Sequence, residues 1–356
     1  MGIFKDMLGS DETLFKNPIA LDYDYMPKLI PFRENEQHYI ANCIKPLFMQ
    51  RNGRNLIITG PPGVGQTVAC KHVLMELEEE TDEIIPLYIN CWQKNTTYKI
   101  MYELCELLGL KFIQNKKTDE LFAMLRKILN KKSAVFVFDE IDKVEDYDFL
   151  YTILEEIYRK TIILITNYSN WITSLDERIK SRLLPDITEF RKYNARETRE
   201  ILLQRVNYAF VPNVWEDEAF DLVVSHVASI GDIRTGLYLL KESGNYAEDD
   251  ASRKIKVKHA EKALSKLVDF SVKSASDLDE ETQQILEIIK ETKGGKIGDL
   301  FRIYLDKGGK SVYKTFQRKI KKLEEGKFIT VKKITGGKEG KTSIIKPAEV
   351  KKLTDF

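Results

Sequence analysis

The chain has 356 residues, of which 43% are hydrophobic and 31% are charged, and this suits two or three folded domains. No apolar run reaches about 18 residues, and the N-terminal stretch lacks the apolar core of a signal peptide. The sequence therefore predicts a cytoplasmic protein without a membrane span. The four cysteines are scattered and form no C-x-x-C motif, which predicts reduced thiols and no cysteine metal site.

Charge is unevenly distributed, although the formal net charge is only +1. Residues 283–356 contain 19 Lys and Arg against 9 Asp and Glu, a net charge of +10. The remainder of the chain contains 37 and 46, a net charge of −9. A basic C-terminal segment on an acidic body indicates a polyanionic partner for that segment.

The first predicted elements lead into a glycine-rich loop. A helix from about Glu34 to Met49 is followed by a buried strand at Leu56–Ile58 and by a second helix that begins at Thr67. Strand, glycine loop and helix in this order are typical of a phosphate-binding loop, in which backbone N–H groups and the helix N-terminus bind phosphate oxygens. The loop residues predicted to bind the cofactor are Gly60, Pro61, Pro62, Gly63, Val64, Gly65, Gln66, Thr67 and Val68.

Two positions of this loop determine its chemistry. Thr67 stands where a hydroxyl ligates Mg²⁺. The pattern G-x-x-x-x-G-K-[ST] requires lysine one position earlier, where this chain has Gln66. Glutamine donates a hydrogen bond but carries no charge, so we expect weaker nucleotide binding and impaired hydrolysis. The alternative interpretation is an ordinary glycine turn between a strand and a helix.

Further strands are predicted, with amphipathic helices between them. The strands are Ile84–Asn90, Ala134–Asp139, Thr161–Asn167 and Asp186–Arg191, and the helices are Thr97–Gly109, Thr118–Asn130 and one through Leu150, Ile153, Leu154 and Ile157. Strands that alternate with helices predict an α/β fold with a parallel sheet covered on both faces.

Polar residues end two of these strands. Asp139 ends the third strand, where a carboxylate can organise Mg²⁺, and Glu140 beside it can polarise an attacking water. Asn167 ends the fourth strand, and its amide could orient the same water. The alternative is that these residues are solvated caps and a turn residue.

After Tyr193 the pattern becomes entirely helical. The predicted helices are Ala195–Tyr208, Glu216–Ile230, Asp232–Gly244 and Val257–Val268. Arg234 opens one of them and could reach a γ-phosphate. Arg178 and Arg182 precede this region, and either could serve a neighbouring subunit as an arginine finger or could simply be a solvated helix end.

The basic C-terminal segment predicts a winged helix. Helices at Glu280–Thr292, Lys296–Asp306 and Ser311–Glu325 precede strands at Phe328–Ile334 and Thr342–Ile345. Lysine outnumbers arginine on the third helix, which favours phosphate contact over base recognition, the alternative being a solvated basic helix. The residues predicted to bind DNA are Lys314, Arg318, Lys321, Lys322, Lys338 and Lys341.

The order of these motifs resembles an AAA+ ATPase, and the details resemble the archaeal and eukaryotic origin-recognition and cell-division-control replication initiators. Those details are PFRENE, YINC, TEFRKYNARETREIL and GDIRTGLYLL, together with the winged helix. The resemblance covers nearly the whole chain. It implies an AAA+ nucleotide-binding domain at residues 1–193, an all-α lid at 194–273 and a DNA-binding winged helix at 274–356.

The resemblance also implies roles for individual residues. Asp139 matches the metal-binding acid, Glu140 the catalytic glutamate, and Asn167 and Arg234 the two sensors, while Arg182 occupies the finger position. Pro31, Arg33 and Tyr193 fall where the family lines its adenine pocket. The family also has a helical insert that touches DNA, and Gln93–Leu107 occupies that place in this chain.

The implied function is a nucleoid-associated initiator. It would bind ATP or ADP with Mg²⁺, and duplex DNA, and would mark origins or help load a replicative helicase, with other initiator subunits as further partners. Two alternatives remain at this stage. One is a signalling or defence ATPase with the same core, and the other is a nucleotide-gated DNA-binding paralogue without turnover.

Overall fold

The computed structural model describes residues 13–168, 171–276, 279–309, 311–325, 328–334 and 342–347. The chain forms two compact units, Met1–Ala263 and Leu264–Phe356. No helix among the described residues is long and apolar enough to cross a membrane. The predicted boundaries near residues 193 and 273 stay predictions.

A five-stranded parallel sheet forms the centre of the first unit. Its strands are β1 (Leu56–Thr59), β2 (Ile84–Asn90), β3 (Ser133–Asp139), β4 (Lys160–Thr166) and β5 (Asp186–Glu189), in the order β2-β3-β4-β1-β5. All side chains of β1 and β3 are buried, which is why both strands have almost continuous apolar sequences. The carboxyl ends of the strands meet at one edge of the sheet.

Helices cover both faces of this sheet. One core contains side chains of the first two helices, and a second core on the opposite face contains side chains of the next four. The helices of the first unit are α1 (Glu34–Ile44), α2 (Gln66–Glu80), α3 (Thr97–Leu107), α4 (Thr118–Leu129), α5 (Asp148–Glu156), α6 (Glu177–Leu183), α7 (Ala195–Ala209), α8 (Asp217–Ile230) and α9 (Ile233–Asp249), while α10 (Val257–Ser276) extends from the first unit into the second.

Several predicted boundaries were wrong, and two of them have a clear cause or bear on the site. Helix α1 ends at Ile44 and continues as a 3-10 turn to Met49, because Pro46 cannot continue an α-helix. Strand β4 ends at Thr166, so Asn167 follows the strand and does not end it. The helical character of the region after Tyr193 is confirmed, and helices α9 and α10 run beyond their predicted ends.

The second unit has a winged-helix fold, as predicted. It contains α11 (Glu280–Glu291), β6 (Gly295–Lys296), α12 (Ile297–Asp306), α13 (Tyr313–Glu325), β7 (Ile329–Ile334) and β8 (Thr342–Pro347). Strand β8 pairs with β7 and also with β6, a two-residue strand that the sequence pattern did not indicate. Tyr304, Phe316 and Leu323 are buried in its core. Lys338 and Lys341 lie outside the described residues.

Candidate functional site

A cavity of about 250 Å³ lies where the carboxyl ends of β1, β3 and β4 meet helices α7 and α9. Both polar groups and apolar side chains line it. The predicted site residues that line it are Pro31, Pro62, Gly63, Gly65, Gln66, Thr67, Val68, Asp139, Glu140, Asn167, Tyr193 and Arg234. The lining therefore offers both polar and apolar contacts to a ligand.

The loop between β1 and α2 requires glycine at two positions. Gly63 and Gly65 have φ angles of +78° and +90°, a region that glycine adopts without strain. A Cβ atom on Gly63 would lie 1.9 Å from Oδ1 of Asp232, and one on Gly65 would lie 2.9 Å from Oη of Tyr193. No side chain therefore covers the loop backbone at these two positions beside the cavity. Helix α2 begins directly after them, at Gln66.

Gln66 is buried, with 7% of its surface exposed, although it lines the cavity. Its amide nitrogen Nε2 has no hydrogen-bond partner within the part of the chain that the structure describes. A buried donor left unsatisfied costs about 1–3 kcal/mol. Nε2 itself has almost no accessible surface, so an anionic oxygen in the cavity meets this donor only when the Gln66 amide turns towards it.

Three donors hold the Asp139 carboxylate. Oδ2 accepts hydrogen bonds from the Thr67 hydroxyl at 2.6 Å and the Tyr88 hydroxyl at 2.7 Å, and Oδ1 accepts one from the Glu140 backbone N–H at 2.9 Å. Hydroxyl and carboxylate oxygens are hard ligands that suit Mg²⁺. Thr67 and Asp139 thus fit the predicted metal, which in such sites takes further oxygens from phosphate and water. No cluster of three or more His, Cys, Asp or Glu side chains able to hold a metal occurs among the described residues.

Glu140 combines an unusual backbone with an unusual charge environment. Its φ angle is +54°, in the left-handed region that non-glycine residues rarely adopt. Burial, followed by the nearby Asp139 and Asp142 carboxylates, raises the pKa of Glu140, while Lys143 and Arg234 oppose the shift. Strained backbone and raised carboxyl pKa values are both common where a side chain takes part in chemistry.

Asn167 lines the cavity beside a polar chain of contacts. The neighbouring Thr166 hydroxyl donates to Asp142 Oδ1 at 2.8 Å, and Lys143 Nζ lies 2.9 Å from Asp142 Oδ2. These contacts fix the end of β4 against the turn after β3. Glu140 and Asn167 each follow one of two neighbouring strands, and both line the cavity.

Arg234 reaches the cavity from the start of helix α9. Its Nε and NH2 groups donate to the two oxygens of Asp232 at 3.2 and 3.0 Å. Asp232 also caps the helix by accepting from the Arg234 backbone N–H at 2.9 Å. The Ile233 N–H donates to the Gly63 carbonyl at 3.3 Å, so the helix end rests directly on the phosphate loop.

Arg33 was predicted to line the adenine pocket, but its side chain is absent from the cavity lining. The guanidinium is fully buried and donates to the carbonyl oxygens of Val64 at 3.0 Å and Arg191 at 2.5 Å, and it stacks 4.0 Å from the Tyr193 ring centre. Arg33 therefore fastens the outer side of the loop, because its five donors can bridge several carbonyls. Gly60, Pro61 and Val64 are likewise absent from the lining.

Several residues that line the cavity were missed by the sequence analysis. Residues of the N-terminal segment and of α7 lie together there although about 180 positions of sequence separate them. Arg205 is buried and donates to the Ala20 carbonyl at 3.3 Å, which ties α7 to that segment. The only sequence signal was the aromatic and proline content of residues 17–36. The missed residues include Tyr23, Pro27, Leu29, Ile30, Ile201, Gln204, Arg205, Ile233 and Leu237.

The two candidate finger arginines lie outside the cavity, on helix α6. Arg182 pairs with Glu155 and packs 5.2 Å from the Tyr151 ring centre, whereas Arg178 is highly exposed and lies 3.6 Å from Asp176. Neither lines the cavity of its own chain.

Helix α13 carries the predicted DNA-binding face. Lys314, Arg318, Lys321 and Lys322 are all exposed, while Phe316, Ile320 and Leu323 face the core. Lys322 Nζ lies 3.6 Å from Asp279 Oδ2. Lys319, with 15% of its side chain exposed, pairs instead with Asp279 at 2.5 Å and Glu281 at 3.2 Å. Part of the helix's positive charge is therefore already neutralised within this unit.

Comparison with known proteins agrees with the fold. Residues 49–168 match the family model of an AAA domain, and residues 199–265 match the Cdc6 AAA+ ATPase-type lid domain. With the parallel sheet and the phosphate loop, these matches define the chain as an AAA+ protein with an initiator-type lid.

Relatives define the family more closely. The chain is 30% identical over 362 aligned positions to the ORC1-type DNA replication protein 2 of Methanosarcina mazei, covering 96% of this chain and 95% of that protein. It is 34% identical over 267 positions to the ORC1-type DNA replication protein 1 of Sulfurisphaera tokodaii, covering 71% and 67%. The chain belongs to the family of ORC1-type DNA replication proteins, and it is a replication-initiator-type AAA+ protein.

Solved structures share the same architecture. The Aeropyrum pernix ORC1 protein, determined in complex with DNA, matches with a TM-score of 0.71 at 24% identity over 95% of both chains. The Aeropyrum pernix ORC2 protein, determined as ADPNP and ADP complexes, matches with a TM-score of 0.65 at 18% identity over 95% of both chains. At these identities the likeness concerns the fold.

Proposed function

We propose that this protein binds ATP or ADP with Mg²⁺ in the cavity and duplex DNA through its winged helix, and that it marks replication origins or helps load the replicative helicase. The observation that carries the nucleotide half is the buried, unsatisfied Gln66 amide beside the linked Thr67 hydroxyl and Asp139 carboxylate. Related proteins in complex with DNA and with nucleotide support both halves.

Each residue has a distinct role in this proposal. The bare N–H groups of the loop and the N-terminus of α2 bind the phosphates, and Gln66 donates its free N–H to a phosphate oxygen. Thr67 and Asp139 hold the metal, which when bound neutralises phosphate charge. Glu140 accepts a proton from the attacking water while Asn167 orients that water, and Arg234 contacts the terminal phosphate. Arg182 or Arg178 serves the site of a neighbouring subunit.

The uncharged Gln66 also favours a second candidate, a nucleotide-gated DNA-binding protein without turnover. Backbone N–H groups and the metal stabilise bound phosphates, so binding survives in part. The lysine that opposes developing charge on the phosphoryl oxygens is replaced, so the transition state loses more than the ground state. We therefore expect slow hydrolysis in the chain as it stands.

Restoring the lysine separates the two candidates. Gln66→Lys should raise the single-turnover hydrolysis rate by more than it tightens nucleotide binding, both measured on the full chain. Gln66→Met, similar in length but without a donor, is the matched control and should weaken binding without raising the rate. A background rate for Gln66→Lys together with normal nucleotide binding would reject the ATPase and leave the nucleotide-gated scaffold.

A further inference from the structure

Tyr88 has no part in the function proposed above, yet it contacts the centre of the site. It lies on β2, two residues before Asn90, whose register partner on β3 is Asp139. Side chains two residues apart on a strand share a face, so Tyr88 and Asp139 project from the same side of the sheet. The Tyr88 hydroxyl lies 2.7 Å from Asp139 Oδ2, and this oxygen also accepts from Thr67.

The two hydroxyls differ in what else they can do. Thr67 lines the cavity, and its hydroxyl is a metal ligand in the proposed function, whereas Tyr88 is absent from the lining. A Thr67 hydroxyl that turns to a metal no longer restrains the carboxylate to the same extent. Tyr88 is absent from the lining, so its hydroxyl can donate to Oδ2 without competing for a metal in the cavity.

Helix α2 supports the tyrosine from its other side. Lys71 lies one helical turn after Thr67, and its Nζ is 4.5 Å from the centre of the Tyr88 ring. A cation over an aromatic face is attracted by the ring, and it draws electron density from the phenol, which makes the hydroxyl a better donor. Lys71, Tyr88 and Asp139 thus form a continuous line of contacts from α2 to β3.

We propose that Tyr88 is the positioning residue that holds Asp139 ready to bind Mg²⁺, and that Lys71 strengthens this hold. The inference rests on the proposed function, because it concerns the metal that supports nucleotide binding there. It adds two residues that lie outside the cavity to the machinery of the site.

The test is a Mg²⁺ titration of fluorescent ATP binding to the full chain. Tyr88→Phe removes the hydroxyl alone and should raise the Mg²⁺ concentration for half-maximal binding about tenfold, the scale of one hydrogen bond to a charged group. Nucleotide binding in EDTA should not change. Lys71→Met should raise the same midpoint about two- to threefold, and should add almost nothing in the Tyr88→Phe background.

Tyr39→Phe is the matched control. Its hydroxyl also lies near an aspartate, Asp186, but at the opposite end of the sheet, so the variant should leave the Mg²⁺ midpoint unchanged. A normal midpoint for Tyr88→Phe, with a clear Mg²⁺ dependence in the parent chain, overturns the role of Tyr88 alone. Absence of any Mg²⁺ dependence in the parent chain overturns the metal part of the proposed function, and this inference with it.

Discussion

The cavity and the basic face of helix α13 are built on opposite principles. The cavity is formed by buried groups in fixed positions, such as the Asp139 carboxylate with its three donors and the Gln66 amide without a partner among the described residues. The face of α13 uses exposed lysine and arginine side chains of the kind that neutralise phosphates one by one. A single substitution in the cavity should therefore change the hydrolysis rate strongly. Substitutions on the helix should each lower DNA affinity by a smaller, salt-dependent amount.

The largest effect is expected at Glu140. In the Gln66→Lys chain, Glu140→Gln should reduce the hydrolysis rate by about 10²–10⁴-fold, since it removes the proton acceptor, and should leave nucleotide affinity within a few-fold. Single-turnover kinetics and nucleotide titration measure the two quantities. A variant that hydrolyses normally would show that a different group activates the water.

The second-largest effect is expected on the exposed basic face of helix α13. Replacing Lys314, Arg318 and Lys321 together by alanine should weaken duplex DNA binding by about ten- to hundredfold near 0.1 M salt. The log–log salt slope should become shallower by about 0.9 for each phosphate that the variant no longer neutralises.

The matched control removes as much positive charge from exposed positions of the first unit. Lys45, Arg51 and Lys131 are suitable, and their replacement should leave the salt slope nearly unchanged. If the slope of the α13 variant equals that of the parent chain, the assignment of α13 as the DNA-contact helix is wrong.

As the pH is lowered, the hydrolysis rate should fall at a pH at which DNA affinity is still unchanged. Burial and the Asp139 carboxylate raise the pKa of Glu140, so this group becomes protonated at a higher pH than an ordinary glutamate of pKa about 4.3. The hydrolysis rate of the Gln66→Lys chain should fall about tenfold per pH unit below that raised pKa, with affinity for DNA unchanged over the same interval. A rate that is flat down to the ordinary range would contradict the charge environment described for Glu140.

The smallest effect distinguishes two lysines of the same helix. Lys322 lies 3.6 Å from Asp279, whereas Lys314 is exposed at the start of α13. We expect Lys314→Ala to weaken DNA binding by a few-fold and Lys322→Ala by less, since part of the Lys322 charge is already offset. If both variants lose the same affinity for DNA in a titration at fixed salt, DNA displaces Asp279 from Lys322 without a free-energy cost.

The sequence predicted the features that depend on short stretches of residues, and it missed those that depend on contacts made only in the folded chain. Hydrophobic periodicity and the glycine loop indicated the sheet, the lid helices and the winged helix, because those patterns act over short stretches of sequence. Asp139 and Glu140 were found because a strand end has a fixed place in the sheet. Arg205 and Tyr23 were missed because only the folded chain brings α7 to the N-terminal segment.

Other errors came from side-chain direction. The sequence places Arg33 beside the loop but does not show that its guanidinium turns inward to the carbonyls of Val64 and Arg191. It also gives no sign that Lys319 is used internally by Asp279 and Glu281. The positive charge counted along a helix in the sequence therefore overstates the positive charge that is available to a DNA partner.

The left-handed backbone at Glu140 has a consequence for the stability of this chain. A non-glycine residue in that region costs roughly 1–2 kcal/mol, and a partly buried carboxylate with a raised pKa adds to the cost at neutral pH. Glycine at position 140 would remove both costs, so Glu140→Gly should raise the melting temperature at neutral pH while it removes the carboxylate from the cavity. The thermal stability of the chain and the presence of a carboxylate at this position are therefore opposed.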